Sequence, residues 1–308
     1  MDILGIGLVA HFGKGMGALK DALSNGVAPP STYRLPHRQE ISTPVYSIPD
    51  DLFDIPAIRA ARRANRFGKM AMLAAADCLE SSLPPPLDRV GIVLATGLGP
   101  HASNMEFSGG LIQYGLDQGS PTHFSHSVHN SAAAYVSNML KTHGPATTIT
   151  HFQSAVGQAL QVAKAWLDSG RVDYVLLGAV DEIGELMLYI FHEGQLIDKT
   201  DRIPGEGSAF LLLSRSGPAS SRLASIQPMR SGVEADLCLV DDSSIIPLPT
   251  PHQTQAVATG ASYSHLWGKM PTGYIFSLAC AALKLTPEVQ KVLCVDKSSA
   301  IPAMLLER

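Results

Sequence analysis

Charge is scarce in this 308-residue chain: Lys, Arg, Asp and Glu make up 16% of it, against 45% hydrophobic residues. So little charge implies a sizeable core, an adhesive surface, or both. The formal net charge of −4 offers no basic footprint for nucleic acid. The four cysteines, Cys78, Cys238, Cys280 and Cys294, never stand in CxxC spacing. Each lies among apolar neighbours, which reads as a buried free thiol in a reducing cytoplasm rather than a disulfide or metal framework. No apolar run reaches the roughly 18 residues that cross a bilayer. The opening MDILGIGLVAHFG has no basic flank and is broken by glycines, so it predicts a first buried strand and not a leader.

Several motifs are also missing. The bare GxG at Gly97–Gly99 is followed by neither GxGxxG nor GK[ST], which argues against a nucleotide site. Ser154 has no GxSxG elbow around it, which argues against a serine hydrolase. His123, His126 and His129 recur every three residues, a spacing that would suit metal ligands on one helical face, yet no acidic or cysteine ligand accompanies them. No cofactor is expected.

What is present centres on Gly144–Glu182, GPATTITHFQSAVGQALQVAKAWLDSGRVDYVLLGAVDE. ATTITHF is β-branched and alternates, as a strand does. Val156, Leu160, Ala163 and Trp166 follow at helical spacing, and Gly170 stands where a helix-ending glycine belongs. VDYVLLGAV is too continuously apolar to have a wet face, so it predicts a strand in the middle of a sheet. Between strand and helix lies the turn His151-Phe152-Gln153-Ser154. Such a turn sits at a helix N-terminus, where free N–H groups and the macrodipole would activate a thiol.

This layout resembles the β-ketoacyl synthases of the thiolase fold. In that family the strand after Gly-Pro leads to a catalytic cysteine at the helix start, and the next strand ends in Gly-Gly-x-Asp/Glu. Here Gly144-Pro145 leads to Gln153 at the cysteine's position, and the next strand ends Gly178-Ala179-Val180-Asp181-Glu182. A carboxamide is not a nucleophile, so no acyl-enzyme can form on it. Glutamine there is what the resemblance associates with chain length factors, the non-condensing partners of type II ketosynthases.

The likeness runs along the chain in order. Asn65-Arg66-Phe67 with the alanine-rich helix behind it matches the family's DRF helix, within an element expected over Ile55–Leu79. Arg89–Gly99 matches a strand entering a glycine turn, and Gly205–Leu213 matches the GEG strand. Val27–Pro56 reads as a surface excursion, and Gly217–Ser221 as a bend before the second half. In the C-terminal part, Leu237–Asp242 places Asp242 where the first catalytic histidine would stand. His265 matches the second histidine, and Gly260 replaces the lysine normally five residues before it. One of four catalytic positions survives.

The resemblance implies an α/β, thiolase-like fold with two similar halves, each holding a mixed five-stranded sheet, in α-β-α-β-α layers. Residues 1–215 would form the first half and 216–308 a shortened second half of one compact unit. It implies a heterodimer with an active β-ketoacyl synthase, joined through the strand Ala146–Phe152. Thr148, Thr150 and Phe152 would face the interface and tunnel. Leu111, Ile112, Tyr114 and Leu116 would set tunnel depth, or else pack an ordinary core. Arg59, Arg62, Arg63 and Arg66 fall on helical spacing and would meet an acyl carrier protein, or else form a solvated or salt-bridged face. Gln153 would find hydrogen-bond partners in the old nucleophile pocket. The likeness is greatest to the compact chain length factors of aryl polyene synthesis. A second reading, a glutamine-type decarboxylase of malonyl carrier, uses the Gln153 amide as a donor to an enolate. A carboxylate at position 242 would oppose it.

Overall fold

The apolar start of the chain forms β1 (Asp2–Ala10), buried along its whole length. A strand with no polar alternation must be covered on both faces. The computed structural model describes residues 1–36, 38–193, 203–215, 222–229, 234–242, 260–297 and 302–308. After a two-residue return, β2 (Gly13–Lys14), comes α1 (Gly15–Asn25), ended by Gly26 at a φ of 77°. Then follow β3 (Ser31–Leu35), β4 (Arg38–Val45), α2 (Pro56–Ala60), α3 (Arg66–Glu80), β5 (Val90–Thr96) and α4 (His101–Tyr114). Next are α5 (Pro121–Ser127), α6 (Ser131–Leu140), β6 (Ala146–Thr150), α7 (Ala155–Asp168), β7 (Tyr174–Asp181), α8 (Glu185–Glu193) and β8 (Gly207–Ser214). The remainder supplies β9 (Ala224–Pro228), β10 (Leu237–Asp241), α9 (Tyr274–Lys284), β11 (Lys291–Asp296) and β12 (Met304–Glu307).

The fold is thiolase-like: a mixed sheet with helices layered on it. The strands run β10-β11-β12-β9-β1-β8-β7-β5-β6, with β2 hanging from β1. β7 lies between β5 and β8, as its continuous apolar sequence requires. Among the described residues β6 is the last strand and pairs only with β5, in parallel register from Ala146 opposite Ile92 to Thr150 opposite Thr96. The sheets of the two halves run on into one another. The first half does contribute five long strands, but the described residues of the second half contribute four. The two sets are joined edge to edge where Asp2 and Ile3 meet Ser225 and Ala224. One large core surrounds α1, α7 and α9 and takes side chains from strands of both halves, so these helices form the middle layer. α3 and α6 cover the outer face of the first half around a second core. No outer helix on the second half is among the described residues. The bend expected at Gly217–Ser221 lies outside them. No helix among them is long and apolar enough to cross a membrane.

Two expectations from the first eighty residues are corrected. Val27–Pro56 is not a mere surface excursion, because β3 and β4 form a two-stranded hairpin apart from the main sheet. Its Leu35, Ile41 and Val45 pack on Ile183, Met187, Leu188 and Phe191 in a small core of their own. Likewise, Ile55–Leu79 is not one element. Ala61 to Asn65 break it, and Asn65 caps α3 by accepting from the Gly68 N–H at 2.9 Å. Arg66 therefore starts a helix instead of sharing a face with Arg59. Its guanidinium reaches buried Glu206 (Nη2 to Oε1 2.5 Å, Nε to Oε2 3.1 Å), Asp50 (2.7 Å) and the Ile48 carbonyl (2.6 Å). Glu206 also accepts from the Ile48 and Ile183 N–H groups. This one carboxylate ties the hairpin's exit, α3 and the end of β7 to β8.

Arg66→Met leaves Glu206 buried without its cation. It is expected to lower unfolding stability by about 3–5 kcal/mol in urea denaturation, with partial recovery in Arg66→Met/Glu206→Gln. A loss below about 1 kcal/mol would show that the two N–H donors hold the carboxylate unaided.

Candidate functional site: a rewritten nucleophile turn beside an open sheet edge

α7 starts where the sequence predicts, and the turn before it is held by His151. Its Nδ1 accepts from the N–H groups of Gln153 (3.2 Å) and Ser154 (3.1 Å) and lies 3.0 Å from Ser154 Oγ. Gln158 Nε2 donates to Ser154 Oγ at 2.9 Å, which leaves the serine proton for the imidazole. His151 thus caps the helix start, a role the motif comparison missed. Gln153 itself is half-buried. Contrary to expectation, its amide nitrogen is buried and makes no hydrogen bond. Phe152 packs against the hairpin's small core beside Leu98. Thr150 is exposed on the strand edge, and the half-buried Thr148 carries a buried, unpaired hydroxyl.

Of the other three positions only Asp242 belongs to a polar cluster, and among the described residues no hydrogen bond joins that cluster to Gln153. Asp242 Oδ1 accepts from Ser262 Oγ (2.8 Å) and from Ser264 Oγ, and pairs with Lys269 Nζ at 3.3 Å. Lys269 is buried and also donates to the Asp242 carbonyl at 2.6 Å. Half-burial pushes the Asp242 carboxyl up, but the two serine hydroxyls and the Lys269 charge outweigh it and hold it below the usual carboxylate range. Asp242 is therefore a carboxylate at neutral pH. A side chain on Gly260 would meet Val240 Cγ2 at 2.4 Å, so a lysine there has no room. The cluster's lysine comes instead from Lys269, which spacing alone did not single out. His265 is exposed in a 3-10 turn, its ring 6.4 Å from that of Tyr263.

The arginine row disperses. Arg66 is committed internally, which corrects its assignment to a carrier surface, and Arg59 pairs with Asp54 at 3.5 Å. Only Arg62 and Arg63 project freely. They rim a groove of about 670 Å³ floored by Met72, Met139 and Tyr135. The candidate tunnel residues are not core either: Ile112 is 88% exposed, Leu116 84% and Tyr114 64%. Leu111 alone is half-buried. Met105, Phe124 and Val128 extend this apolar exposure along α4 and α5. His123 and His126 lie in α5, whereas His129 lies beyond it against Gly99. Among the described residues no group of three or more His, Cys, Asp or Glu could hold a metal ion.

Behind α4 lies a buried acid that sequence reading did not weigh. Glu182 Oε1 accepts from the Ala102 N–H at 3.0 Å and stands 4.0 Å from His101 Nδ1. Burial pushes its carboxyl up to about 8, with Glu206 adding to the rise. Burial also lowers the His101 imidazole, so the pair is uncharged at neutral pH.

The sequence matches the model of the family described as beta-ketoacyl synthase, N-terminal domain, over residues 36–191, just over half of the 308. The chain belongs to the β-ketoacyl synthase family. No curated protein matches it. Among solved structures it superposes on the ishigamide ketosynthase/chain length factor with a TM-score of 0.76 at 16% identity, covering 99% of this chain and 98% of that one. A β-ketoacyl synthase from Burkholderia phymatum STM815 gives 0.71 at 14% identity, with 99% and 98% covered. A ketosynthase in complex with its chain length factor from Xenorhabdus doucetiae gives 0.61 at 14% identity, with 100% and 98% covered. These likenesses are ones of fold.

Glu182 gives the protein a pH signature. Below the ordinary glutamate value of 4.5 the carboxyl is protonated whether the chain is folded or not. Between that value and about 8 the unfolded chain releases the proton and the folded chain keeps it, so stability falls as pH rises and levels off above about 8. Glu182→Gln is therefore expected to gain on the parent across that window, by a few kcal/mol at about pH 8. Thermal melts at matched ionic strength check this, and a gap that does not vary with pH would refute it.

Proposed function

We propose that this chain is a non-condensing subunit of chain-length-factor type that pairs with an active β-ketoacyl synthase in the cytoplasm. The observation that carries the reading is the edge of β6 that no other strand pairs among the described residues, together with the exposed apolar side chains of α4 and α5. An unpaired strand edge is a ready template for another strand, and proteins that work as monomers blunt or cover it. Here it stays open, and a broad apolar surface lies in the same part of the chain. The partner supplies the thiolate and the histidines. This chain supplies the facing strand, through Ala146–Phe152, and the outer part of the product tunnel along α4.

Own catalysis is disfavoured by what occupies the four positions. Gln153 cannot attack, and Gly260 has no room for lysine. Asp242 is ionised and held by Lys269, so it would repel an enolate rather than protonate it. At about 4 Å and an effective dielectric near 20 the repulsion is on the order of 4 kcal/mol. Carrier protein engages mainly the partner, with Arg62 and Arg63 as this chain's contribution. The likeness in fold to a ketosynthase solved in complex with its chain length factor supports the reading, and an aryl polyene pathway is the narrower assignment we favour.

Co-expression with a ketosynthase that retains the cysteine and both histidines is the test. A one-to-one complex is expected, active in elongating carrier-bound malonate, with this chain inert alone. Gln153→Ala should leave elongation largely intact, whereas Ile112→Glu with Leu116→Glu should abolish co-purification. Release of CO₂ from malonyl carrier by this chain alone, lost in Gln153→Ala, would replace the proposal with the decarboxylase reading.

A further inference from the structure

Beside the edge of β6 that no strand pairs among the described residues lies a small pocket, and β5 shows which face it is on. Ile92 and Leu94 belong to the core under α3 and α6, and they stand opposite Ala146 and Thr148 in the ladder. Residues paired across a ladder share a face, so Ala146 and Thr148 face α6, whereas Ile149 joins the core around α7. Between that face of β6 and α6 the pocket holds about 270 Å³. This is below the usual size of a small-molecule site and suits a single side chain.

α6 contributes Asn130, Ala134 and Asn138, which fall on one stripe at successive turns. Ala134 is exposed and leaves the middle of the stripe open. Asn130 is the cap residue of α6, yet its side chain makes no cap hydrogen bond. Among the described residues neither carboxamide has a hydrogen-bond partner. On the strand wall the Thr148 hydroxyl is buried and also unpaired. None of the described lining residues carries a charge. A charged occupant would therefore be desolvated without a counter-ion, and an apolar one would cover the two carboxamides without meeting their donors and acceptors. A carboxamide side chain offers both a donor and an acceptor, and is uncharged.

We infer that this pocket receives an asparagine or glutamine side chain of the ketosynthase subunit paired along β6. The inference rests on the subunit reading above and deepens it. In an antiparallel pair the partner residue opposite Ala146 or Thr148 projects to the same face as they do. A second copy of this chain, paired about Thr148, would present only Thr148 and Thr150 there, whose side chains are too short to fill the pocket.

Sedimentation of the full chain with a ketosynthase that retains the cysteine and both histidines measures the affinity. Asn130→Ala is expected to weaken the pair about three- to tenfold, the worth of one hydrogen bond, and Asn138→Ala by a similar factor. Ala134→Leu fills the pocket and should weaken the pair further. The chain alone should keep the parent's melting temperature in that variant, since position 134 is exposed and leucine is a good helix former. A crystal structure of the complex should place the partner's carboxamide over Ala134. An apolar or charged side chain there, or unchanged affinity in all three variants, overturns the inference and leaves the pairing intact. Self-association of the chain alone that the same changes weaken would seat a second copy in the pocket and overturn it as well. A parent chain that forms no complex with the ketosynthase removes the pairing and this inference with it.

Discussion

The Asp181 carboxylate is the constraint on which the site-bearing loops depend. It ends β7 deep in the molecule, 2% exposed. Oδ1 accepts from Thr96 Oγ1 (3.0 Å) and the Gly97 N–H (2.9 Å), which fixes the loop leaving β5. Oδ2 accepts from the Thr272 N–H (3.0 Å) and hydroxyl (2.8 Å), which fixes the approach to α9 in the second half. Burial drives this carboxyl toward its neutral form, against the pull of the donors from Thr272, Gly97 and Thr96. A buried acid is costly unless its lone pairs are met, and here donors from both halves meet them. The two halves are thus clamped at the level of the nucleophile turn. Glu206 makes the parallel tie on the other side, to the hairpin and α3.

These two acids hold the fold independently of the positions to which the resemblance assigns catalysis. Gln153 follows β6, His265 lies on an exposed turn, and Asp242 follows β10. None of them is a donor to Asp181 or to Glu206. The lysine that the family places before the second histidine has been replaced by a glycine fitted against Val240, and Lys269 serves the Asp242 cluster from four residues after His265. The framework is kept by buried carboxylates, and Asp242 is held in an ion pair with Lys269.

Much of the fold was legible because its signals are local. The apolar runs of β1, β7 and β8, the alternation of β6 and the helical spacing of α7 each follow from period and burial. What was not legible depends on pairing across the chain. No periodicity shows that the charged, proline-containing stretch after α1 doubles back as a hairpin over Phe152, since its apolar residues are few and their partners lie some 150 positions away. Nor could spacing separate Arg66 from Arg59, Arg62 and Arg63. The break after α2 and the buried acid at position 206 make that distinction. The strand joining the two sheets was hidden for the same reason, because the union rests on two residue pairs at the chain's first strand. Of the site, the start of α7 just after Gln153 was legible from spacing, whereas Lys269, His151 and Glu182 act through contacts that sequence order does not announce.

The low charge content finds its explanation in where the apolar residues go. Most fill the two large cores, but a distinct group, from Met105 to Val128, remains on the surface of α4 and α5. Burying that group internally would require α4 to turn over, and the Glu182 contact to the Ala102 N–H and the packing of His101 against Gly184 hold it as it is. The exposure is therefore imposed by the same buried groups that fix the loops, and is not slack in the fold. A surface held apolar in this way has lower free energy when something covers it. That is the physical basis of the pairing proposed above.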